Sequence, residues 1–325
     1  NLSPFETYYS ENRPFFTEGT ELFEKVGLFY SRRIGKIPDK YYKIRDKTES
    51  GYEILKNPRY SRLINAVKLT GRGENNLAVG VLNALTANTY AEVEDSLGKV
   101  DKILTEPWAN YNMLVLDQSF RNNSYLNFTN ARVDRPDTDY HSNVAGVAYR
   151  LMESSNRFGL FGDAAWSNIK DSIASNDSLS DGYKLNFGIG KLNGNWQYNY
   201  TLDIKSEAYN PNAFGFLRKN NSIEHGLDLR YNIYEPFWVL NNLSNRLNFE
   251  YKTSYKDLLY KESRIWINTY TETNNYTSIW NDLVIRLGEE HDYYAAREPG
   301  RVYKYKETHS EDFYISTDYR KTFAL

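Results

Sequence analysis

The stretch Ile223-Glu224-His225-Gly226-Leu227-Asp228-Leu229-Arg230-Tyr231-Asn232-Ile233 alternates apolar and polar residues without a break. A period of two places one set on each face of an extended strand, where a helix would scatter them. The same reading extends in both directions. Tyr183, Leu185, Phe187 and Ile189 alternate with Lys184, Asn186, Gly188 and Gly190, and Trp196, Tyr198, Tyr200, Leu202 and Ile204 with Gln197, Asn199, Thr201, Asp203 and Lys205. Leu247, Phe249, Tyr251 and Tyr255 oppose Asn248, Glu250, Lys252 and Ser254. Each strand sets an apolar, aromatic face against a polar, charged one.

Weaker alternation marks residues 63–72, 76–87, 111–120, 125–133, 143–151, 158–167, 264–272, 278–287 and 313–320 as further strands. Helical periodicity is absent over any useful length. The best helical candidate is Ala91 to Leu104, which Gly98 interrupts. Connections alternate between short ones (73–75, 121–124, 152–157, 191–195, 235–245, 273–277) and long ones (88–110, 134–142, 168–182, 206–221, 256–263, 288–312). That pattern fits a transmembrane antiparallel up-and-down β-barrel, with short periplasmic turns and long outer loops. Strand 63–72 then needs a rising partner, and Val26, Leu28 and Tyr30 alternating with Gly27, Phe29 and Ser31 offer one near 22–33. The expected fold is all-β, a barrel of about fourteen strands, with residues 1–21 as a periplasmic-mouth or plug segment, 22–325 as the barrel and 37–62 as the first outer loop.

Composition narrows the function. With 40 Lys and Arg against 42 Asp and Glu, the chain lacks the basic surplus of a nucleic-acid binder. It has no cysteine, hence no disulfide framework and no thiolate metal site. Its aromatic content of 16% excludes disorder. No apolar run approaches a spanning helix, but a barrel strand needs only one apolar face. Both the opening Asn1-Leu2-Ser3-Pro4-Phe5 and the closing Lys321-Thr322-Phe323-Ala324-Leu325 read as the middle of a pattern. The chain is therefore expected to be a fragment of a longer protein.

Several blocks carry a more specific likeness. Glu11-Asn12-Arg13-Pro14-Phe15-Phe16-Thr17-Glu18-Gly19-Thr20-Glu21-Leu22-Phe23 is followed by Phe29-Tyr30-Ser31-Arg32-Arg33-Ile34-Gly35. Further blocks are Ala66-Val67-Lys68-Leu69-Thr70-Gly71-Arg72, Val79-Gly80-Val81-Leu82-Asn83-Ala84-Leu85-Thr86, His291-Asp292-Tyr293-Tyr294-Ala295-Ala296-Arg297 and Asp318-Tyr319-Arg320-Lys321. Together they resemble the outer-membrane barrel domain of a family described only as a domain of unknown function (the DUF5916 type), found in Bacteroidetes and related bacteria. The resemblance implies a preceding domain like the family 9 carbohydrate-binding modules, and further strands downstream. It also implies the outer membrane of a Gram-negative bacterium as the location.

Catalytic signatures are missing: no nucleophile elbow, zinc-protease helix, Walker loop or dinucleotide fingerprint occurs. Glu289-Glu290-His291-Asp292 is the one cluster of acid–base groups, and a solvated loop is its ordinary reading. Asp171, Asp177 and Asp181-Gly182 lack the spacing of a calcium loop. Arg13, Glu18, Arg32 and Arg33 are the candidates for a gate or ligand contact, or for an ion-pair network that anchors the N-terminal segment. Lys184, Asp203, Lys205, Glu224, Asp228, Arg230, Glu250 and Lys252 are expected to line the lumen, where a change such as Asp228→Asn should be mild. The expected role is that of a pore or barrel component of a surface complex, linked to glycan uptake or handling. Its partners would be outer-membrane lipid, proteins of such a complex and a glycan, with no cofactor. The alternatives are a scaffold subunit of a secretion or assembly complex, a hydrolase, and a soluble β-domain that binds glycans on its Tyr and Trp faces.

Overall fold

Period-two sequence becomes strand along nearly the whole chain. The computed structural model describes residues 6–49, 51–171, 178–298 and 300–322. Short helices α1 (Pro14–Thr17) and α2 (Glu21–Glu24), then α3 (Tyr41–Glu49), open the chain. The strands follow as β1 (Glu53–Lys56), β2 (Leu63–Arg72), β3 (Leu77–Thr86), β4 (Thr89–Glu94), β5 (Val100–Glu106), β6 (Ala109–Ser119), β7 (Tyr125–Arg135), β8 (Tyr140–Met152) and β9 (Phe158–Asp171). Then come β10 (Ser178–Lys191), β11 (Trp196–Lys205), β12 (Ser222–Ile233), β13 (Leu240–Thr253), β14 (Tyr260–Thr273), β15 (Ser278–Arg286), β16 (Glu290–Asp292), β17 (Tyr303–Tyr305) and β18 (Thr308–Ser316).

Thirteen strands form one antiparallel sheet in the order β18-β15-β14-β13-β12-β11-β10-β9-β8-β7-β6-β3-β2. The fold is all-β, as expected. Among the described residues β2 and β18 stay as two unpaired edges, so the sheet is not closed on itself. Tight turns at one end of the strands, such as Glu153–Asn156 and Thr273–Tyr276, are closed by i to i+3 backbone bonds. The opposite end carries the longer connections, including 206–221 and 287–307. Two of the expected long loops, 134–142 and 168–182, are shorter than read, because β7 to β10 run further than their alternation suggested. Residues 172–177 lie outside the described residues.

Two sequence readings are corrected. The best helical candidate, 91–104, inside the long connection expected at 88–110, is the hairpin β4–β5, with Gly98 at φ +79° in its turn and Asp95 accepting from the Leu97 and Lys99 amides. Ala91 and Val93 are buried on one side of that hairpin, so period two was present but brief. With β1 it forms a separate three-stranded sheet, order β1-β4-β5, whose small core includes Ile44 of α3. The strand expected at 22–33 is absent. Those residues hold α2 and a 3₁₀ turn at Ser31–Arg33, and Gly27 has φ +72°. Their alternation records one-sided burial: Phe23, Val26 and Leu28 are almost fully buried.

What buries them is one face of the sheet. Leu82, Ala84, Tyr111, Met113, Val115, Ala131, Val133, Val144, Ala148 and Ala165 form one core with Phe16, Phe23, Val26, Leu28 and Ile34. Small residues mark the closest approach: a Cβ on Gly146 would stand 2.5 Å from Val26 Cγ1. The N-terminal segment is therefore an insert lying against β3 and β6–β9, and the face it covers is the trough side of the wall.

Candidate functional site

The trough has two unlike halves. Over β3 and β6–β9 its floor is apolar and covered by the insert. Over β10–β14 the same face is a ladder of paired charges. Lys184 meets Asp163 at 2.6 Å, and Lys205 meets Asp203 within its own strand. Asp228 accepts from Arg230 Nε and Arg246 Nε, both at 2.5 Å. Glu250 pairs with Arg264, and Lys252 with Glu224 at 2.7 Å and Glu262 at 3.7 Å. Cross-strand register explains the ladder. Asp228 faces Asn248, Gly226 faces Glu250 and Glu224 faces Lys252, so alternate residues of neighbouring strands share one face. The residues expected to line a lumen thus come together on the face that the insert covers further along the sheet. Asp228 is more deeply engaged than the sequence implied: it is nearly buried and bridges two guanidiniums.

The opposite face carries the other parity. Leu160, Leu185, Ile189, Leu227, Leu229 and Leu247 are each more than a third exposed. Toward the short-turn end they give way to Trp196 and Tyr231, whose rings lie 4.5 Å apart. Toward the long-connection end come Trp166 and Tyr183, with the Tyr183 hydroxyl in contact with that of Tyr255. An aliphatic band between two aromatic rows covers a side of the sheet that, among the described residues, stays exposed. No helix among the described residues is long and apolar enough to cross a membrane.

Charged hooks hold the insert. Arg13 pairs with Glu11 at 2.7 Å and donates to the carbonyls of Ile34 and Ser31, joining the two arms of the segment. Arg33 makes a two-pronged contact with Glu6, at 2.7 and 3.1 Å, and donates to the Gly215 carbonyl. Arg32 donates to the Ser10 carbonyl and lies 3.9 Å from Glu11. Three of the four candidate charges therefore converge. Glu18 is exposed and takes part through its backbone, its carbonyl accepting from Lys68 and its amide donating to the Pro14 carbonyl. The carboxylates that serve the arginines are Glu11 and Glu6, which the sequence reading passed over. Partial burial pushes the Glu11 carboxyl up, but bonds from the Arg13 side chain, the Ser31 hydroxyl and the Arg13 amide outweigh it and hold the pKa down to about 2.

A strap completes the arrangement. In the 206–221 connection Tyr209 and Phe214 are buried, and the Phe214 carbonyl accepts from the Tyr30 amide. Gly182 lets the strap lie on the wall, since a Cβ there would meet the Tyr209 amide nitrogen at 2.1 Å. Tyr8 stacks on Tyr30 at 4.9 Å, and Phe216 packs edge-on against both. At the short-turn end a shallow cleft of about 320 Å³ is lined by Arg150, Phe161, Lys191, Gln197, Asn199 and Arg230.

The remaining chemistry is structural. Glu289 pairs with Lys304, and Asp292 accepts the Tyr294 and Ala295 amides and faces Lys219, so the acid cluster around His291 holds the β16–β17 hairpin in place. Among the described residues no three His, Asp or Glu side chains are grouped to hold a metal ion. Asp181 accepts from Asn168, and Asp177 lies outside the described residues.

An antiparallel all-β wall with an exposed apolar face, a charged opposite face and an N-terminal insert is the class of protein these features define. The chain belongs to the family described as "Domain of unknown function (DUF5916)", whose model matches residues 1–325. No curated protein and no solved structure matches it.

Proposed function

We propose that this chain is the membrane-embedded wall of an outer-membrane β-barrel, with its N-terminal segment as a fixed internal plug and the charged half of the trough as a hydrated path. The observation that carries this reading is the exposed apolar face. Apolar side chains run across the sheet between aromatic rows, on a surface that a water-soluble sandwich would bury against a second sheet. Strands of 9 to 14 residues from β6 to β15 suit a tilted bilayer crossing.

The insert shares a hydrophobic core with β3 and β6–β9, so it is a cemented filling over half of the trough. The other half is lined by both signs of charge, and a path along it would pass small polar solutes with little preference for anion or cation. Planar-bilayer recording tests this. Low, weakly selective conductance that rises when residues 1–20 are deleted is expected. No conductance from either form would favour the second reading, a scaffold that anchors a partner in a surface complex. That reading draws on the same cemented core, since a plug so tightly packed also suits a barrel that never opens. A glycan-linked role rests on the family resemblance alone.

A further inference from the structure

Charge balance in the trough fails at its short-turn end. Further along, Lys184 has Asp163, Lys205 has Asp203, Lys252 has Glu224 and Arg264 has Glu250. Around the cleft of about 320 Å³ beside the turns, cations go unmatched. Arg150 and Lys191 make no ion pair and no side-chain hydrogen bond among the described residues. Arg230 shares one carboxylate, Asp228, with Arg246. Arg150, Lys191, Arg230 and Arg246 thus stand against Asp228 alone, and no carboxylate lines the cleft. A concave surface with a local surplus of one sign concentrates counter-ions.

Strand register builds the cleft. Arg150 pairs with Phe161, Phe161 with Gly188, Gly190 with Asn199, and Asn199 with Asp228. Arg150, Phe161, Asn199 and Arg230 therefore share the trough face. Gly188 and Gly190 put no side chain between them. The Phe161 ring takes the space over Gly188, where a Cβ would stand 2.3 Å from it. In strand order, Arg150 of β8 and Arg230 of β12 bracket the half-buried Phe161 ring of β9 and the Asn199 amide of β11. Lys191, the last residue of β10, closes the turn side. The Asn199 side chain makes no hydrogen bond among the described residues, so its amide is free to donate. An apolar platform with a few convergent polar groups is the usual make-up of a small-ligand site, and the volume falls at the lower end of the range of about 300–1,000 Å³ for such sites.

We infer that this cleft binds a small solute carrying a phosphate or carboxylate group, with its oxyanion held by Arg150 and Lys191 and its apolar body laid on Phe161. The cleft opens on the trough side, so the ligand comes from solution and not from a lipid headgroup. The surplus is local, and the paired ladder beyond it keeps the path as a whole weakly selective. The inference rests on the reading of the trough as a hydrated path. Should that reading fail alone, bilayers would show no conductance while the titration below would still show binding.

The test is calorimetric titration of the full-length protein in neutral detergent with phenyl phosphate, inorganic phosphate and the cation benzamidine. A single equivalent of phenyl phosphate should bind, more tightly than inorganic phosphate, and benzamidine should not bind. The double variant Arg150→Gln, Lys191→Gln should lose about tenfold or more in affinity for phenyl phosphate. Arg150→Lys keeps the charge and should lose less than Arg150→Gln. Arg157→Gln, an exposed turn residue outside the cleft, should bind as the parent does. Circular dichroism of each variant confirms that strand content is kept. Absence of phenyl phosphate binding to the parent, or undiminished binding to the folded double variant, overturns the inference. An equal loss in Arg157→Gln also overturns it, since general surface charge would then explain the binding. Equal affinity for inorganic and phenyl phosphate overturns the part assigned to Phe161.

Discussion

Lys25 and Asp117 are 92 positions apart in sequence, yet the Lys25 ammonium sits 2.7 Å from an Asp117 carboxylate oxygen whose side chain is wholly buried. The ammonium also lies 3.9 Å over the Tyr125 ring, while Asn127 donates to the same carboxylate. One ion pair therefore keys the insert to the wall near the short-turn end, and the Glu11 and Glu6 hooks hold its other end.

Removing the key from one side leaves a buried charge. Lys25→Met should destabilise the protein by about 3 kcal/mol, because Arg72 at 3.5 Å compensates only in part. Adding Asp117→Asn should recover much of that loss. Urea unfolding in detergent of the two single variants and the double variant measures the coupling. Additive effects would mean that the pair contributes nothing to docking.

The pKa of Glu11 sets a pH window. Its folded value, about 2, lies below the ordinary 4.5, so its stabilisation is complete above 4.5 and fades as pH falls toward 2. Pepsin works across that window. Cleavage within residues 6–35 should rise as pH falls from 4.5 to 2 in the native protein. In Glu11→Gln the segment should be cut readily throughout. Identical profiles would show that the Glu11 hook does not hold the insert.

Topology is testable with epitope tags. A tag at Leu97, on the exposed β4–β5 turn, should be labelled on intact cells, and a tag at Asn193 should not. A tag between Tyr209 and Phe214 should disturb folding, since the 206–221 connection is a packed strap and not a free loop. Surface labelling at Asn193 would reverse the assignment of the two ends.

Neighbouring residues on β12 should respond differently. Leu229→Arg should cost about 2–4 kcal/mol if the side chain lies near the bilayer midplane. Asp228→Asn should cost about 1–3 kcal/mol, because the amide leaves Arg230 and Arg246 short of a charge partner. Refolding into lipid vesicles from urea measures both, with the larger loss expected at Leu229.

The strands were legible where one face is apolar and the other charged, as in β10 to β13, because such a pattern admits a single period. β2, Leu63–Arg72, was read to the residue. The insert was not legible. Val26, Leu28 and Tyr30 alternate as a strand would, and only the core that Val26 and Leu28 share with Val144 and Phe214 reveals why. A signal was nevertheless present: Leu77-Ala78-Val79-Gly80-Val81-Leu82 is apolar on both faces, which a strand needs only when something covers its inner side. The Arg33–Glu6 and Lys25–Asp117 pairs join distant positions, and no spacing rule connects them.

Lipid contact along β12 tests the membrane wall most directly. Single cysteines from Ile223 to Ile233, each carrying a nitroxide, can be scanned in lipid vesicles for collision with oxygen, which concentrates in the bilayer, and with a water-soluble nickel chelate. Oxygen access should peak at Leu227 and Leu229 and nickel access at Asp228 and Arg230, with a period of two. Uniform nickel access at all of these positions would contradict the membrane wall and leave a water-exposed sheet.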